Sequence, residues 1–301
     1  MKHLLSIDDL SREDAQFLLA EAVRLKQELR VHPNRQRETL RGQTLAMIFE
    51  KPSLRTRVSF DVGMQHLGGH SVSLSPSEIG LGTRESVADV ARVLGRMCDG
   101  IMARVLHHAT VVELARYANV PVINGLCDIE HPCQALADVL TLHEFKGLEG
   151  RKLAYVGDGN NVCNSLMLLC AKLGVEFAVA TPEGFAPDGS FVERARQDGK
   201  VFVTNDAREA VENADAVYTD VWTSMGQEAE SAHRLQVFPP FQINEELMSC
   251  AQPDAIVLHC LPAHRGEEIT DRVLESSQSR VFEQAENRLH AQKAVLSWLM
   301  G

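Results

Sequence analysis

Residues 44–57, Thr-Leu-Ala-Met-Ile-Phe-Glu-Lys-Pro-Ser-Leu-Arg-Thr-Arg, decide the fold of this chain. Thr44 to Phe49 reads as a buried strand, Ser53 is a good helix N-cap, and apolar positions from Val58 to Leu67 recur at helical spacing until Gly68-Gly69 stops them. A strand that turns directly into a helix leaves the first helical N–H groups, at Leu54, Arg55 and Thr56, without partners inside the helix. With the Ser53 hydroxyl and the neighbouring guanidinium groups they make a candidate anion site suited to a phosphate. Ser-x-x-Thr before an apolar run is also the mark of a plain helix cap, and both readings stand at this point. Residues two apart do not share a helix face, so the spacing assigns Arg55 to the anion and Arg57 to a structural ion pair.

The same alternation runs outward in both directions. Ser11 and Asp14 form a capping-box pattern ahead of a helix whose apolar positions, Ala15, Leu18, Leu19, Ala22, Leu25 and Leu29, lie on one stripe. Strands are expected at 44–49, 70–74, 101–104 and 120–124, with helices near 54–67, 85–97 and 110–118. A second series places strands near 152–157, 176–181, 201–204, 216–220 and 255–260, and helices near 162–173, 190–197 and 207–213. Strands alternating with helices of this length imply parallel sheets covered on both faces. The expected class is therefore α/β, with two doubly wound parallel-sheet domains joined by interdomain helices. The boundary is expected between Gly147 and Gly150, giving domains of residues 1–147 and 148–282, with a linking helix from Pro132 to Phe145. An amphipathic last helix, 283–301, is expected to pack back on the first domain. Residues 221–241 are polar and aperiodic and read as a mobile loop.

Composition narrows the function classes. The 301 residues leave room for two ordinary domains, each able to bury a core. Seven cysteines, an odd number without framework spacing, fit free thiols in a reducing compartment. No apolar stretch has signal-peptide length near the start, and the longest apolar run, Leu166 to Ala171, is too short for a bilayer. A cytoplasmic protein without a membrane partner is expected. The net charge of −11 argues against nucleic acid, whose phosphates demand a basic face. A small anionic substrate stays compatible, given the local arginines.

In open α/β sheets ligands bind beyond the carboxyl ends of the strands. The unusual polar residues of this sequence fall there: Glu50 to Thr56, Arg104, Asn124, Asp158 to Asn161, Asp220 and His259-Cys260. His131-Pro132-Cys133-Gln134 opens a helix, with an imidazole to donate to a carbonyl oxygen and an amide beside it, or else only a cap and an exposed Gln. Gly157-Asp158-Gly159 lacks the third glycine of a dinucleotide fingerprint, Val162 standing in its place, so a nucleotide is a minor alternative. The tandem Asn160-Asn161 suits an amino-acid carboxylate. Asp220 offers a carboxylate to an ammonium group, or caps the next turn. His259-Cys260-Leu261-Pro262 with His264 matches no zinc pattern, and Cys260 could equally be a small buried hydrophobe. Arg288, on the last helix, would by spacing alone be a solvated face residue.

Taken together, these segments resemble the aspartate/ornithine carbamoyltransferase family, in its ornithine branch, over nearly the whole chain. Ser53-Leu54-Arg55-Thr56-Arg57 looks like the family's carbamoyl-phosphate motif, His131-Pro132-Cys133-Gln134 its second and His259-Cys260-Leu261-Pro262 its third. Asp220 with Ser224-Met225-Gly226 is similar to the ornithine loop, and Ala285-Glu286-Asn287-Arg288 to the C-terminal motif. The resemblance implies a carbamoyl-phosphate domain first and an ornithine domain second. It also implies conversion of carbamoyl phosphate and L-ornithine to citrulline and phosphate, as in arginine biosynthesis. Ser53, the Leu54 amide, Arg55 and Thr56 would hold the phosphate, while Arg104, His131 and Thr56 would polarise the carbamoyl oxygen. Gln134, the carbonyls of Cys260 and Leu261, and Arg288 would recognise the carbamoyl NH2. Asn161 would take the α-carboxylate of ornithine, and Asp220, Ser224 and Met225 its α-amino end, with Cys260 and Asp220 near the attacking δ-amine. The family further implies a homotrimer, a neighbour's loop 78–85 completing the phosphate site, and neither cofactor nor metal.

Two departures stand out. Leu54 replaces the usual Thr, at a place where the backbone N–H is the expected contact. Gly80 stands where relatives carry Gln or His, with Arg84 as a possible substitute. Leu at position 54 is also common in enzymes for N-acylated ornithine, but the Ser224-Met225-Gly226 loop points to ornithine itself. Putrescine is a further alternative acceptor. Aspartate is disfavoured because Cys260 occupies a place where its enzyme has Pro.

Overall fold

The computed structural model describes residues 2–32, 35–223 and 228–301, the side chain of Glu228 excepted. It divides into two compact units, residues 1–140 with 286–301, and residues 141–285. Each unit carries its own parallel sheet.

The first unit opens with α1 (Arg12–Val31), whose capping box is formed as expected, the Asp14 N–H donating to Ser11 Oγ at 3.0 Å. Then follow β1 (Thr44–Phe49), α2 (Leu54–Leu67), β2 (His70–Leu74), α3 (Pro76–Ile79), α4 (Val87–Met97), β3 (Gly100–Arg104), α5 (His108–Tyr117) and β4 (Val122–Leu126). The sheet order is β2-β1-β3-β4, all parallel. Ala46 and Ile48 of β1 share one core with Ile101 and Ala103 of β3 and Val122 of β4, the period-2 face of three adjacent strands. Each such Val or Ile side chain contributes roughly 1.5–3 kcal/mol by leaving water. The last strand starts and ends about two residues later than the sequence suggests. Asn124 therefore lies inside it rather than at its end, fully buried, with Nδ2 donating to the Leu5 carbonyl at 2.8 Å.

The boundaries between units fall within α6 (Pro132–Lys146) and, near the C-terminus, within the last helix. The second unit comprises β5 (Lys152–Val156), α7 (Asn161–Lys172), β6 (Glu176–Ala180), α8 (Gly189–Asp198), β7 (Val201–Thr204), α9 (Ala207–Val211) and β8 (Ala216–Thr219). Then come α10 (Ser231–Val237), α11 (Glu245–Met248), β9 (Ile256–His259), α12 (Asp271–Leu274) and α13 (Val281–Met300). The sheet order is β7-β6-β5-β8-β9, again all parallel. The expected loop at 221–241 is corrected over its described part: 3-10 turns at Glu228–Glu230 and Pro239–Phe241 flank α10. Sequence periodicity misses these pieces because a helix of one or two turns shows no repeat to detect.

Strand order decides where polar loops collect. In the first sheet the chain runs from β1 outward to β2, then returns to the other side of β1 as β3, so the switch point lies at the carboxyl ends of β1 and β3. In the second it lies between β5 and β8. Phe49 pairs with Arg104 across the first pair, and Tyr155 with Tyr218 across the second. Among the described residues, no helix is long and apolar enough to cross a membrane.

Candidate active site

At the first switch point the front of α2 is built as its sequence dictates. Ser53, in extended conformation, caps the helix by accepting the Thr56 N–H at 3.3 Å. Leu54, the first residue of the helix, is 75% exposed. Thr56 is buried, and its hydroxyl accepts from Arg288 Nη2 at 3.1 Å. The other arm of that guanidinium donates to Gln134 Oε1 at 2.6 Å, and Gln134 Nε2 donates to Asp138 Oδ1 at 2.7 Å. Arg288 is only 2% exposed, which overturns the solvated-face reading that spacing alone gives.

Arg104 ends β3 and is buried, Arg55 lies half-buried in the first turn of α2, and His131 is buried just before α6. Burial, then the charges of Arg288, Arg104 and Arg55, hold the His131 ring well below its ordinary pKa. Its imidazole is therefore neutral at physiological pH and can polarise a carbonyl without charge of its own. The neighbouring Cys133 thiol, fully buried, is pushed up to about 12 and stays protonated. Guanidinium groups around a neutral imidazole, beside the first turn of α2, suit a small dianion that also carries a polar carbonyl. Sequence reading assigns Ser53, Arg55, Thr56, Arg104, His131, Gln134 and Arg288 to one site and Arg57 to a structural ion pair. Arg57 departs from it: the side chain is exposed, and no ion pair engages it among the described residues.

The loop expected to reach a neighbour is shaped by its glycine. Gly80 sits at φ 54, where a Cβ would come within 2.7 Å of Arg84 Cβ, so Gln or His there would strain the turn. Arg84 turns back on its own loop, its Nη1 donating to the Glu78 carbonyl at 3.2 Å.

At the second switch point Asn160 caps α7, its Oδ1 accepting from the N–H groups of Val162 and Cys163 at 3.0 and 3.1 Å. That leaves Asn160 Nδ2 to donate to Asp220 Oδ2 at 2.8 Å. Asp220 Oδ1 accepts from Cys260 Sγ at 2.7 Å and from the Val221 N–H at 2.8 Å. Asn161 opens α7, beside this network. Asp220 thus joins the ends of β5, β8 and β9 and is no simple turn cap. Cys260 is tied to a carboxylate rather than packed as a hydrophobe. His259 uses both ring nitrogens, Nε2 facing Glu268 Oε1 at 2.9 Å and Nδ1 accepting from the Leu261 N–H at 2.8 Å, which fixes the Cys260–Leu261 backbone. Ser224 and Met225 lie outside the described residues.

One residue that sequence reading passed over, Arg234, completes this region. Asp158 pairs with Arg234 Nη1 at 2.7 Å, both buried. Burial raises the Asp158 carboxyl pKa, and the Arg234 guanidinium pulls against that rise. Asp158 was legible as a strand-end carboxylate, whereas Arg234 sits in a segment whose periodicity was too short to read. The Gly157-Asp158-Gly159 turn has a packing reason: a Cβ on Gly159 would lie 2.2 Å from the Pro187 nitrogen.

The carbamoyl-P binding domain of aspartate/ornithine carbamoyltransferases matches residues 2–144, and the Asp/Orn binding domain matches residues 149–299. A protein of Anoxybacillus flavithermus described as an ornithine carbamoyltransferase is 54% identical over 306 residues, covering 99% of this chain and 96% of that protein. An anabolic ornithine carbamoyltransferase of Pyrococcus furiosus is 52% identical over 307 residues, covering 100% of this chain and 96% of its own length. A solved structure of the ornithine carbamoyltransferase from Pyrococcus furiosus superposes with a TM-score of 0.96 at 52% identity, over 100% of this chain and 97% of that one.

Proposed function

The chain belongs to the aspartate/ornithine carbamoyltransferase family, and from that premise we propose that it transfers the carbamoyl group of carbamoyl phosphate to the δ-amine of L-ornithine. The products are citrulline and phosphate, in arginine biosynthesis. One observation carries the reading: the Arg288 guanidinium is already bonded to Thr56 and Gln134, beside a neutral, buried His131 and the open front of α2.

In this proposal residues 1–147, with the C-terminal helix, bind carbamoyl phosphate, and residues 148–282 bind ornithine. The phosphate takes the Leu54 amide, Ser53, Arg55 and Thr56. The carbamoyl oxygen takes Arg104, His131 and Thr56, and the NH2 takes Gln134 and the carbonyls of Cys260 and Leu261, with Arg288 alongside. Asn161 meets the α-carboxylate of ornithine and Asp220 its α-amino group, with Ser224 and Met225 assigned to the same end by family likeness. The neutral δ-nitrogen attacks the carbonyl carbon, a tetrahedral oxyanion forms, and its collapse expels phosphate. Each donor aimed at that oxyanion is typically worth about 3–4 kcal/mol of barrier. Holding two reactants in register supplies on the order of 7–11 kcal/mol more. Cys260, bonded to Asp220, acts near the amine and not as a nucleophile.

The same reading makes the active form a cytoplasmic homotrimer. Free cysteines throughout the described chain support a reducing compartment. Leu54, Val58 and Val72, on α2 and the edge strand β2, are 75%, 50% and 40% exposed, which favours a self-association face. The deciding experiment is citrulline formation from carbamoyl phosphate and ornithine, with putrescine, N-acetylornithine and aspartate assayed beside it. Faster turnover with any of those three would overturn the choice of acceptor.

A further inference from the structure

The buried guanidinium of Arg234 closes a ring of bonds around the amino-acid half of the site. Its Nη1 lies 2.7 Å from Asp158 Oδ2 and 2.7 Å from the Trp222 carbonyl oxygen. Its Nε and Nη2 both donate to Glu230 Oε2 at 3.1 Å. From Asp158 the circuit continues through the backbone, the Asn160 N–H donating to the Asp158 carbonyl at 2.7 Å. Asn160 Nδ2 then reaches Asp220 at 2.8 Å, and Asp220 stands two residues before Trp222, whose carbonyl returns the path to Arg234.

Three segments meet on this one side chain: the turn after β5, the segment after β8, and α10. The guanidinium also packs against aromatic faces, 4.8 Å from the Phe185 ring centroid and 5.8 Å from that of Phe238. A buried ion pair is a weak source of net stability, because desolvation consumes most of the attraction. What a planar fork with several donors provides, and an ammonium does not, is fixed geometry for several acceptors at once. The Asp220 carboxylate meets the turn after β5 through Asn160, and its other side-chain partners are Cys260 and the Val221 N–H.

We propose that Arg234 is a positioning residue for ornithine: through Asp158 and the Trp222 carbonyl it holds Asp220 and the Asn160–Asn161 turn in the arrangement that receives the amino acid. The assignment rests on the reading of residues 148–282 as the ornithine-binding part. It concerns the second substrate alone, since every residue of the ring belongs to the second unit.

The test is steady-state kinetics of the full chain with each substrate varied in turn. Arg234→Lys keeps the charge facing Asp158 but loses the fork. It is expected to raise the KM for ornithine about tenfold, roughly 1.4 kcal/mol, while the KM for carbamoyl phosphate stays within twofold. Glu230→Gln, at a carboxylate whose side chain is 60% exposed, is expected to raise the ornithine KM about two- to threefold, in line with the small worth of a solvent-screened ion pair. An ornithine KM unmoved in R234K, or both KM values rising together, overturns the assignment. Should R234K not fold, an unmoved ornithine KM in E230Q does the same. A parent chain that forms no citrulline overturns the functional reading itself. A parent that does, beside unmoved variants, overturns only the role of Arg234.

Discussion

Arg288 Nη1 lies 2.6 Å from Gln134 Oε1, joining side chains 154 residues apart in the first unit. Both are buried, so the pair and the Thr56 hydroxyl bonded to the other arm are oriented before any substrate arrives. Preorganisation of this kind spares the reaction the cost of arranging donors at the moment of need.

Gln134→Ala removes the acceptor of one guanidinium arm and the donor to Asp138. A hydrogen bond to a charged group is worth about 1.5–3 kcal/mol, so kcat/KM for carbamoyl phosphate is expected to fall roughly 10- to 150-fold. Kinetics at saturating ornithine check this, and a fall below threefold would refute the assigned role.

Arg55→Ala tests the anion cradle directly. Loss of one charge-assisted phosphate contact is expected to raise the KM for carbamoyl phosphate by about tenfold or more, leaving ornithine binding unchanged. A variant that needs no more carbamoyl phosphate than its parent would sink the reading of the α2 front.

The depressed His131 pKa gives two pH expectations. In the folded chain the ring stays neutral, so kcat/KM for carbamoyl phosphate should show no inflection near pH 6.5. At low ornithine, rate should instead climb with pH, because only on the order of one in a thousand amines of pKa about 10.4 is neutral at pH 7. For stability the sign follows from proton uptake. Below about pH 6.5 the unfolded imidazole binds a proton that the folded one refuses, so His131 costs stability as pH falls. His131→Gln should flatten that part of the stability curve, measured by denaturant midpoints from pH 7 down to 5.

Lys293 on α13 is fully buried, its Nζ makes no hydrogen bond among the described residues, and burial brings its pKa down to about 8. Glu28 and Glu21 attract its charge and Arg24 repels it. Between about pH 8 and the unfolded value near 10.4 the unfolded state holds the extra proton, so stability rises with pH across that window. Lys293→Met is expected to stabilise the chain at pH 7 by roughly 1–3 kcal/mol, with the gain shrinking toward pH 10. A destabilised variant at pH 7 would show that the ammonium is well compensated.

Gly159→Ala would place a methyl group 2.2 Å from the Pro187 nitrogen, against backbone that cannot turn aside. Overpacking of this kind costs typically about 1–3 kcal/mol, visible as a lower melting temperature. A neutral substitution would show that the turn has slack and would reopen the question of what the glycine serves.

Much of this was readable beforehand. The alternation of apolar strands with capped helices set the α/β class, and Ser53, Thr56, Arg104, His131 and Asp220 were site candidates by their positions at strand ends and helix starts. Arg57, Asn124 and the stretch 228–241 were misread for one reason. Each depends on what another segment presents to it: an ion-pair partner that Arg57 lacks among the described residues, a bond from Asn124 to Leu5, and packing of a two-turn helix through Arg234.

By itself the amino-acid sequence determined local conformation, which residues end each strand, and by family likeness which chemistry they serve, because caps, periodicity and strand-to-helix turns are short-range effects. Tertiary structure alone decided that β1 lies beside β3 and β5 beside β8, and so which strand ends become neighbours. It also decided that Arg288 and Arg234 are buried and paired, since burial and pairing depend on residues brought together from far along the chain, and no local pattern encodes them.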